Sequence, residues 1–254
     1  MKKTRETRGE LERRFCTTAR KMTFTNDSAK WFCEQATTGQ LCAVCDLVEH
    51  ELAVRENNKR AKLLRAAKFS AIKSMDDFDF SDVVFPAGYT KENLVGLDFV
   101  DKAQDFVFYG ARGRGKTHCS IALGVMAIAR CQSVRFFEAA DLVLQLKTAE
   151  EKGVLDKMLD GIKRADVLII DEFGYIPIDV EGARLLYQVM AATYERQSMI
   201  ITTNIEFGKW GTVLADDHLA GALCDRIFHH GRLIEFKGES KRLNNALMTG
   251  KGED

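Results

Sequence analysis

The chain has 254 residues with 37 Lys or Arg against 37 Asp or Glu, a formal net charge of zero, and 46% hydrophobic residues. This is the composition of a folded globular protein with a sizeable core, and it excludes a polyelectrolyte: any affinity for nucleic acid must come from local patches. No run approaches eighteen uninterrupted apolar residues and no apolar stretch follows Met1-Lys2-Lys3, so neither a membrane span nor a secretory leader is expected, and the 7 cysteines read as reduced thiols of a cytoplasmic protein.

Residues 1–25 are polar and basic: Lys2, Lys3, Arg5, Arg8, Arg13, Arg14, Arg20 and Lys21 outnumber Glu6, Glu10 and Glu12. The stretch reads as a frayed terminus or as a basic arm touching phosphates, with the frayed terminus preferred for the free protein. Leu41, Val44, Cys45, Leu47, Val48, Leu52, Leu63 and Leu64 then trace an imperfect apolar stripe that predicts one long helix over 41–68. Its second half turns basic, with Arg55, Lys59, Arg60, Lys62, Arg65 and Lys68 against a single Glu56. A solvated helix face accounts for this, and so does a face that binds DNA or a partner. Cys42-x-x-Cys45, with Cys33 before it and His50 after it, has the residue types of a zinc site. The pair also falls at helical i, i+3 spacing and no second C-x-x-C is present, so no stoichiometric zinc is expected.

Residues 74–80, Ser-Met-Asp-Asp-Phe-Asp-Phe, break the helical pattern. They set a boundary between a small helical N-terminal region, 1–75, and a second domain, 76–254. Apolar strands are predicted at 105–109, 134–137, 167–170, 199–203 and 232–236. Helices are predicted at about 116–131, 138–163, 179–196 and 207–228. This alternation implies an α/β fold, a parallel five-stranded sheet with helices on both faces.

The first of these strands runs into Gly110-x-x-x-x-Gly115-Lys116-Thr117, and a helical pattern follows at once. Strand, loop and helix are the context a phosphate-binding loop requires. Backbone N–H groups of Gly110, Ala111, Arg112, Gly113, Arg114 and Gly115, with the helix N-terminus behind them, can cradle α- and β-phosphates. Lys116 can reach the β- and γ-phosphates, and the Thr117 hydroxyl can ligate Mg²⁺. His118 follows directly and either senses nucleotide or lies on the helix surface, the second being preferred. The third strand ends in Asp171-Glu172, where open α/β sheets bind ligands. Asp171 is placed to hold Mg²⁺, directly or through water, and Glu172 to polarise an attacking water. The loop and the acidic pair together point to a nucleoside triphosphatase. Asn204, at the end of the fourth strand, faces the γ-phosphate or caps the next helix. Asp225-Arg226 ends a helix and Arg242 lies beyond the last strand; each arginine can act as a phosphate-facing cation or as a member of a surface ion pair.

Gly-Lys-Thr-His at 115–118, Asp-Glu-Phe-Gly-Tyr-Ile-Pro at 171–177 and Tyr-Glu-Arg-Gln-Ser at 194–198 carry a resemblance. So do Thr-Thr-Asn-x-x-Phe at 202–207 with Trp210, and Leu-Cys-Asp-Arg-Ile-Phe-His at 223–229. Over about residues 40–245 the chain resembles the IstB-type transposition helper ATPases, AAA+ proteins close to the DnaC-type helicase loaders. The resemblance implies an AAA+ domain that binds ATP with Mg²⁺, with Asn204 as the sensor-1 residue, Arg226 as the arginine finger and Arg242 at the sensor-2 position. Two positions depart from the family pattern: Lys241 stands where an aromatic is usual, and Arg112 where Pro is frequent. Only 18 residues follow Phe236, so no full C-terminal lid is expected. Closure of the site by a neighbouring subunit, and activity that depends on assembly, are implied with it. The implied partners are duplex DNA, gripped through Arg55, Lys59, Arg60, Lys62 and Arg65, a transposase, and further copies of the chain. A helicase loader acting on a replicative helicase is the alternative. A small-molecule kinase gives no reason for Asp171-Glu172 with Asn204, and an intact Glu172 argues against a module that does not hydrolyse nucleotide.

Overall fold

The computed structural model describes residues 6–76 and 78–240. The chain divides into two compact units, Met1–Lys62 and Leu63–Asp254.

The first unit is helical: α1 (Arg8–Lys21), α2 (Asn26–Gln35) and most of α3 (Thr38–Ala67). Helix α1 starts at a reciprocal cap, in which the Thr7 side chain accepts from Glu10 N while Thr7 N donates to Glu10 Oε2 at 2.7 Å. Leu11, Phe15 and Ala19 recur on one face of α1 and bury with Ala29, Cys33, Leu41 and Cys45. Arg14 reaches Asp46 and Glu6, each at 2.9 Å, and also pairs with Glu49. From residue 8 onward this corrects the expectation of a frayed terminus or free basic arm. A one-sided apolar stripe lies under the charged residues, and the most connected arginine is tied to carboxylates. Residues 1–5 lie outside the described residues.

The second unit contains β1 (Val83–Val84), α4 (Lys91–Val95), α5 (Asp98–Asp101), β2 (Asp105–Tyr109), α6 (Lys116–Ala129), β3 (Val134–Glu138) and α7 (Ala139–Glu151). It continues with α8 (Leu155–Lys163), β4 (Val167–Phe173), α9 (Val180–Thr193), β5 (Ser198–Thr203), a 3-10 turn (Phe207–Lys209), α10 (Trp210–Leu214), α11 (Asp217–His230) and β6 (Gly231–Phe236). The sheet runs β1-β6-β2-β5-β4-β3. The five expected strands are there and all parallel, but the sheet has six: Val83–Val84 pairs antiparallel with β6. A two-residue strand is too short to leave a periodic signal.

Two helical expectations are corrected. The stretch 138–163 is two helices, because Gly153 takes φ +65° after α7. The stretch 207–228 is a short turn and two helices. Ala215 at φ +52° stops α10, and the Asp216 side chain then caps α11, accepting from His218 N at 2.8 Å and Leu219 N at 3.0 Å.

Strand alternation divides the interior in two. Val107, Leu168, Ile170 and Ile201 pack with α7 to α11. Phe106, Phe108, Ile169, Ile200 and Ile234 pack with α6 and with Leu94, Leu97 and Phe99. From β2 the chain crosses to the far edge at β3, returns through β4 and β5, and passes to the other side of β2 at β6. The C-terminal end of β2 is therefore a topological switch point, where such sheets leave a crevice for a ligand.

Candidate functional site

That crevice is a cleft of about 770 Å³ lined by residues 112–118 with Glu172, Tyr175, Thr202, Thr203, Asn204, Phe78 and Asp79. The fold thus collects the predicted loop, the acidic pair and Asn204 in one place. Lys116 Nζ donates to the carbonyls of Gly110 at 2.7 Å and Ala111 at 2.8 Å, so the loop wraps its own cation. Gly110 is required sterically as well as conformationally. At φ +152°, a Cβ there would lie 2.2 Å from the Phe236 carbonyl oxygen of the neighbouring strand. Arg114 donates to that same carbonyl at 3.3 Å. His118 binds the Ser74 carbonyl through Nε2 at 2.8 Å and packs at 5.4 Å from the Phe78 ring.

The acidic pair sits where β4 leaves its ladder. Register with β5 shifts between Ile170 and Phe173, and Glu172 adopts φ +57°. Thr202 compensates: its hydroxyl accepts from Glu172 N at 3.0 Å and donates to Asp171 Oδ1. Thr117 Oγ1 lies 2.9 Å and 3.0 Å from the two Asp171 oxygens. Burial pushes the Asp171 carboxyl above its usual range, while the Thr202 and Thr117 hydroxyls and the Lys116 charge oppose the shift. Asp171 is buried and Glu172 exposed, so adjacent carboxylates have different environments: one held by hydroxyls, one open to the cleft.

Sequence reasoning missed several lining residues. Thr202 stands in the sequence only as part of the Thr-Thr-Asn stretch; its contact with the acidic pair appears only through the register of β4 against β5. Phe78 falls in the predicted boundary, yet its ring lies 2.8 Å from where a Cβ on Gly115 would sit. Arg112, expected in the loop, stacks on Tyr175, its guanidinium carbon 4.0 Å from the ring centroid.

Other predicted residues lie elsewhere. Arg226 does not line the cleft; it is held over the rings of Tyr187 and Tyr194, at 5.1 Å and 5.7 Å. Arg242 and Lys241, with the expected lid-poor terminus, lie outside the described residues. Arg55, Lys59 and Lys62 stand at i, i+4 and i+7 on α3 and are exposed, as is Arg65. Arg55 pairs with Glu51 at 2.7 Å and Arg60 with Glu56 at 3.6 Å. Cys33 and Cys45 are buried in the N-terminal core, and Cys45 Sγ donates to the Leu11 carbonyl at 3.6 Å. Among the described residues, no helix is long and apolar enough to cross a membrane.

A family model described as IstB-like ATP binding protein matches residues 21–249. The ATP-binding protein of insertion sequence IS5376 from Geobacillus stearothermophilus is 39% identical over 202 residues, 80% of either chain. That of IS21 from Pseudomonas aeruginosa is 34% identical over 210 residues, 82% of this chain and 78% of the relative. Among solved structures, AMPPCP-bound DnaA from Aquifex aeolicus superposes with TM-score 0.54 at 18% identity, over 74% of this chain and 57% of that one. DnaI gives 0.53 at 20% identity, over 67% and 90%. The last two are likenesses of fold.

Proposed function

We propose that this chain, which belongs to the IstB-like ATP-binding protein family, is an ATP-hydrolysing switch of DNA transposition. ATP held between subunits favours a multimer that grips duplex DNA and recruits a transposase; hydrolysis releases it. The observation that carries this reading is the linkage of Thr117, Asp171, Thr202 and Glu172 at the mouth of the phosphate loop. Insertion-sequence relatives across four-fifths of the chain supply the context of transposition.

The chemistry follows from what each residue does. The loop N–H groups and Lys116 bind and orient the phosphates. Thr117 and Asp171 offer an alcohol and a carboxylate oxygen 2.9 Å apart, a donor set that suits a hard divalent cation. Mg²⁺ held by those oxygens would supply charge neutralisation at the β- and γ-phosphates. Glu172, exposed in the cleft, takes a proton from the attacking water. Asn204 orients that water or the phosphate. Thr202 holds the Asp171 carboxylate and the Glu172 backbone in place. DNA contacts come from the exposed cations of α3, which act on phosphates without reading sequence.

Glu172→Gln tests the assignment. It should bind ATP as wild type does and hydrolyse it at least about a hundredfold more slowly, the loss expected for removing a general base. Wild-type turnover by that variant overturns Glu172 as the base.

A further inference from the structure

We propose that Glu195, His229 and His230 form a binding site for a divalent transition metal of the zinc class, away from the nucleotide cleft. His229 and His230 are the last two residues of α11, and Glu195 lies in the turn between α9 and β5 at φ +57°. The fold brings one donor atom from each within 4.8 Å of the other two. His230 Nε2 is 2.6 Å from Glu195 Oε1, and the two imidazole centroids are 4.7 Å apart.

The donor set selects the metal. Two imidazoles and one carboxylate suit zinc and its first-row neighbours, whereas Mg²⁺ and Ca²⁺ prefer all-oxygen surroundings. Zinc bonds of about 2.0–2.1 Å in a tetrahedron put donors roughly 3.3 Å apart, within the 4.8 Å that spans the set here. Glu195 and His229 are exposed, so their side chains can rotate to close the set, and solvent can supply the fourth ligand. A supporting contact is already made: the Tyr194 hydroxyl lies 3.0 Å from His229 Nδ1. Partners of this kind orient metal-ligating histidines. On binding, the metal takes the place of the direct His230–Glu195 contact and joins the α9–β5 turn to the end of α11. The thiols that sequence spacing singled out do not form this set; the fold offers a different one.

The test uses the full, tag-free chain stripped with chelator and titrated with zinc chloride by calorimetry, with thermal melts in parallel. One zinc per chain is expected, with a rise in Tm that saturates at the same stoichiometry. His230→Gln, which keeps a donor towards Glu195, should weaken affinity at least about tenfold, as should Glu195→Gln. The His229→Ala/His230→Ala double variant should lose both the binding and the zinc-dependent rise in Tm. The site is overturned by the absence of saturable binding. It is equally overturned by a zinc that survives these variants and is lost in Cys42→Ser. A His230 effect on Tm that is independent of zinc, without binding, reduces the cluster to an ion pair and also overturns it.

Discussion

Thr202 shows how much of the site rests on one hydroxyl. A backbone that turns to φ +57° at Glu172 loses its ladder partner, and Thr202 accepts that N–H while also donating to Asp171. Thr202→Val keeps the shape and removes both bonds. Leaving a buried donor unmade costs about 1–3 kcal/mol, so a lower Tm is expected. Hydrolysis should fall further than ATP affinity, since the phosphate loop is untouched; equal losses of both would show that Thr202 serves the fold alone. Asp105 offers a second test. It is buried at the start of β2, accepts from Met199 N at 2.8 Å, and burial raises its carboxyl to about 7. A folded-state value above the unfolded one means that the native chain binds the extra proton. Stability from this group is then present at low pH and lost as pH rises from about 4 to about 7, at up to about 1.4 kcal/mol per pH unit. In metal-free protein, Asp105→Asn should flatten that decline in denaturant melts; an unchanged pH profile would contradict it. The contrast between these residues explains what was legible. Gly110, Lys116, Thr117 and Asp171-Glu172 announce themselves because their chemistry needs neighbours in sequence. Thr202 and Phe78 meet the same cleft through pairing and packing across the fold, and no local spacing records that.

Among the elements, the apolar strands are legible because parallel strands buried on both faces are runs of apolar residues between turn signals. Apart from the missed two-residue β1, the errors fall on helices. The periodicity across 138–163 and 207–228 continues through single residues of positive φ, Gly153 and Ala215, so the breaks are conformational and barely compositional. Helix α1 escapes notice for the opposite reason: three buried side chains on one face, Leu11, Phe15 and Ala19, are outnumbered by charges on the others. On α3 the charges themselves are the subject. Reversing Lys59, Arg60 and Lys62 to Glu should weaken duplex binding and flatten its dependence on salt. Every phosphate left without its cation takes close to one from the slope of log affinity against log salt. ATPase without DNA should be spared, because none of the three lines the cleft. An unchanged slope returns this face to simple solvation.

At the scale of the second unit, the arrangement of the sheet bears on how Arg226 can act. Helix α11 runs directly into β6, whose first residue, Gly231, pairs with Asp105 at the N-terminal end of β2. The phosphate loop leaves the other end of that strand, roughly 13 Å away at about 3.3 Å per residue. Arg226, one turn before the end of α11, is held over Tyr187 and Tyr194 and does not line its own cleft. If Arg226 acts on ATP, it does so by reaching a neighbour's cleft. Arg226→Ala should therefore bind ATP normally and hydrolyse it poorly. Mixing it with Glu172→Gln protein should restore activity, because a pocket with an intact Glu172 then meets an intact Arg226 from the next subunit. A finger supplied in trans is worth about a thousandfold or more in rate, so even a minority of mixed interfaces gives a measurable signal. The ratio series adds a constraint of its own: recovered activity should peak at intermediate mixtures and vanish at both ends. If mixed assembly is demonstrated and no ratio recovers activity, Arg226 does not act across the interface. Arg232, on β6, and Arg242 are then the cations to test in the same way.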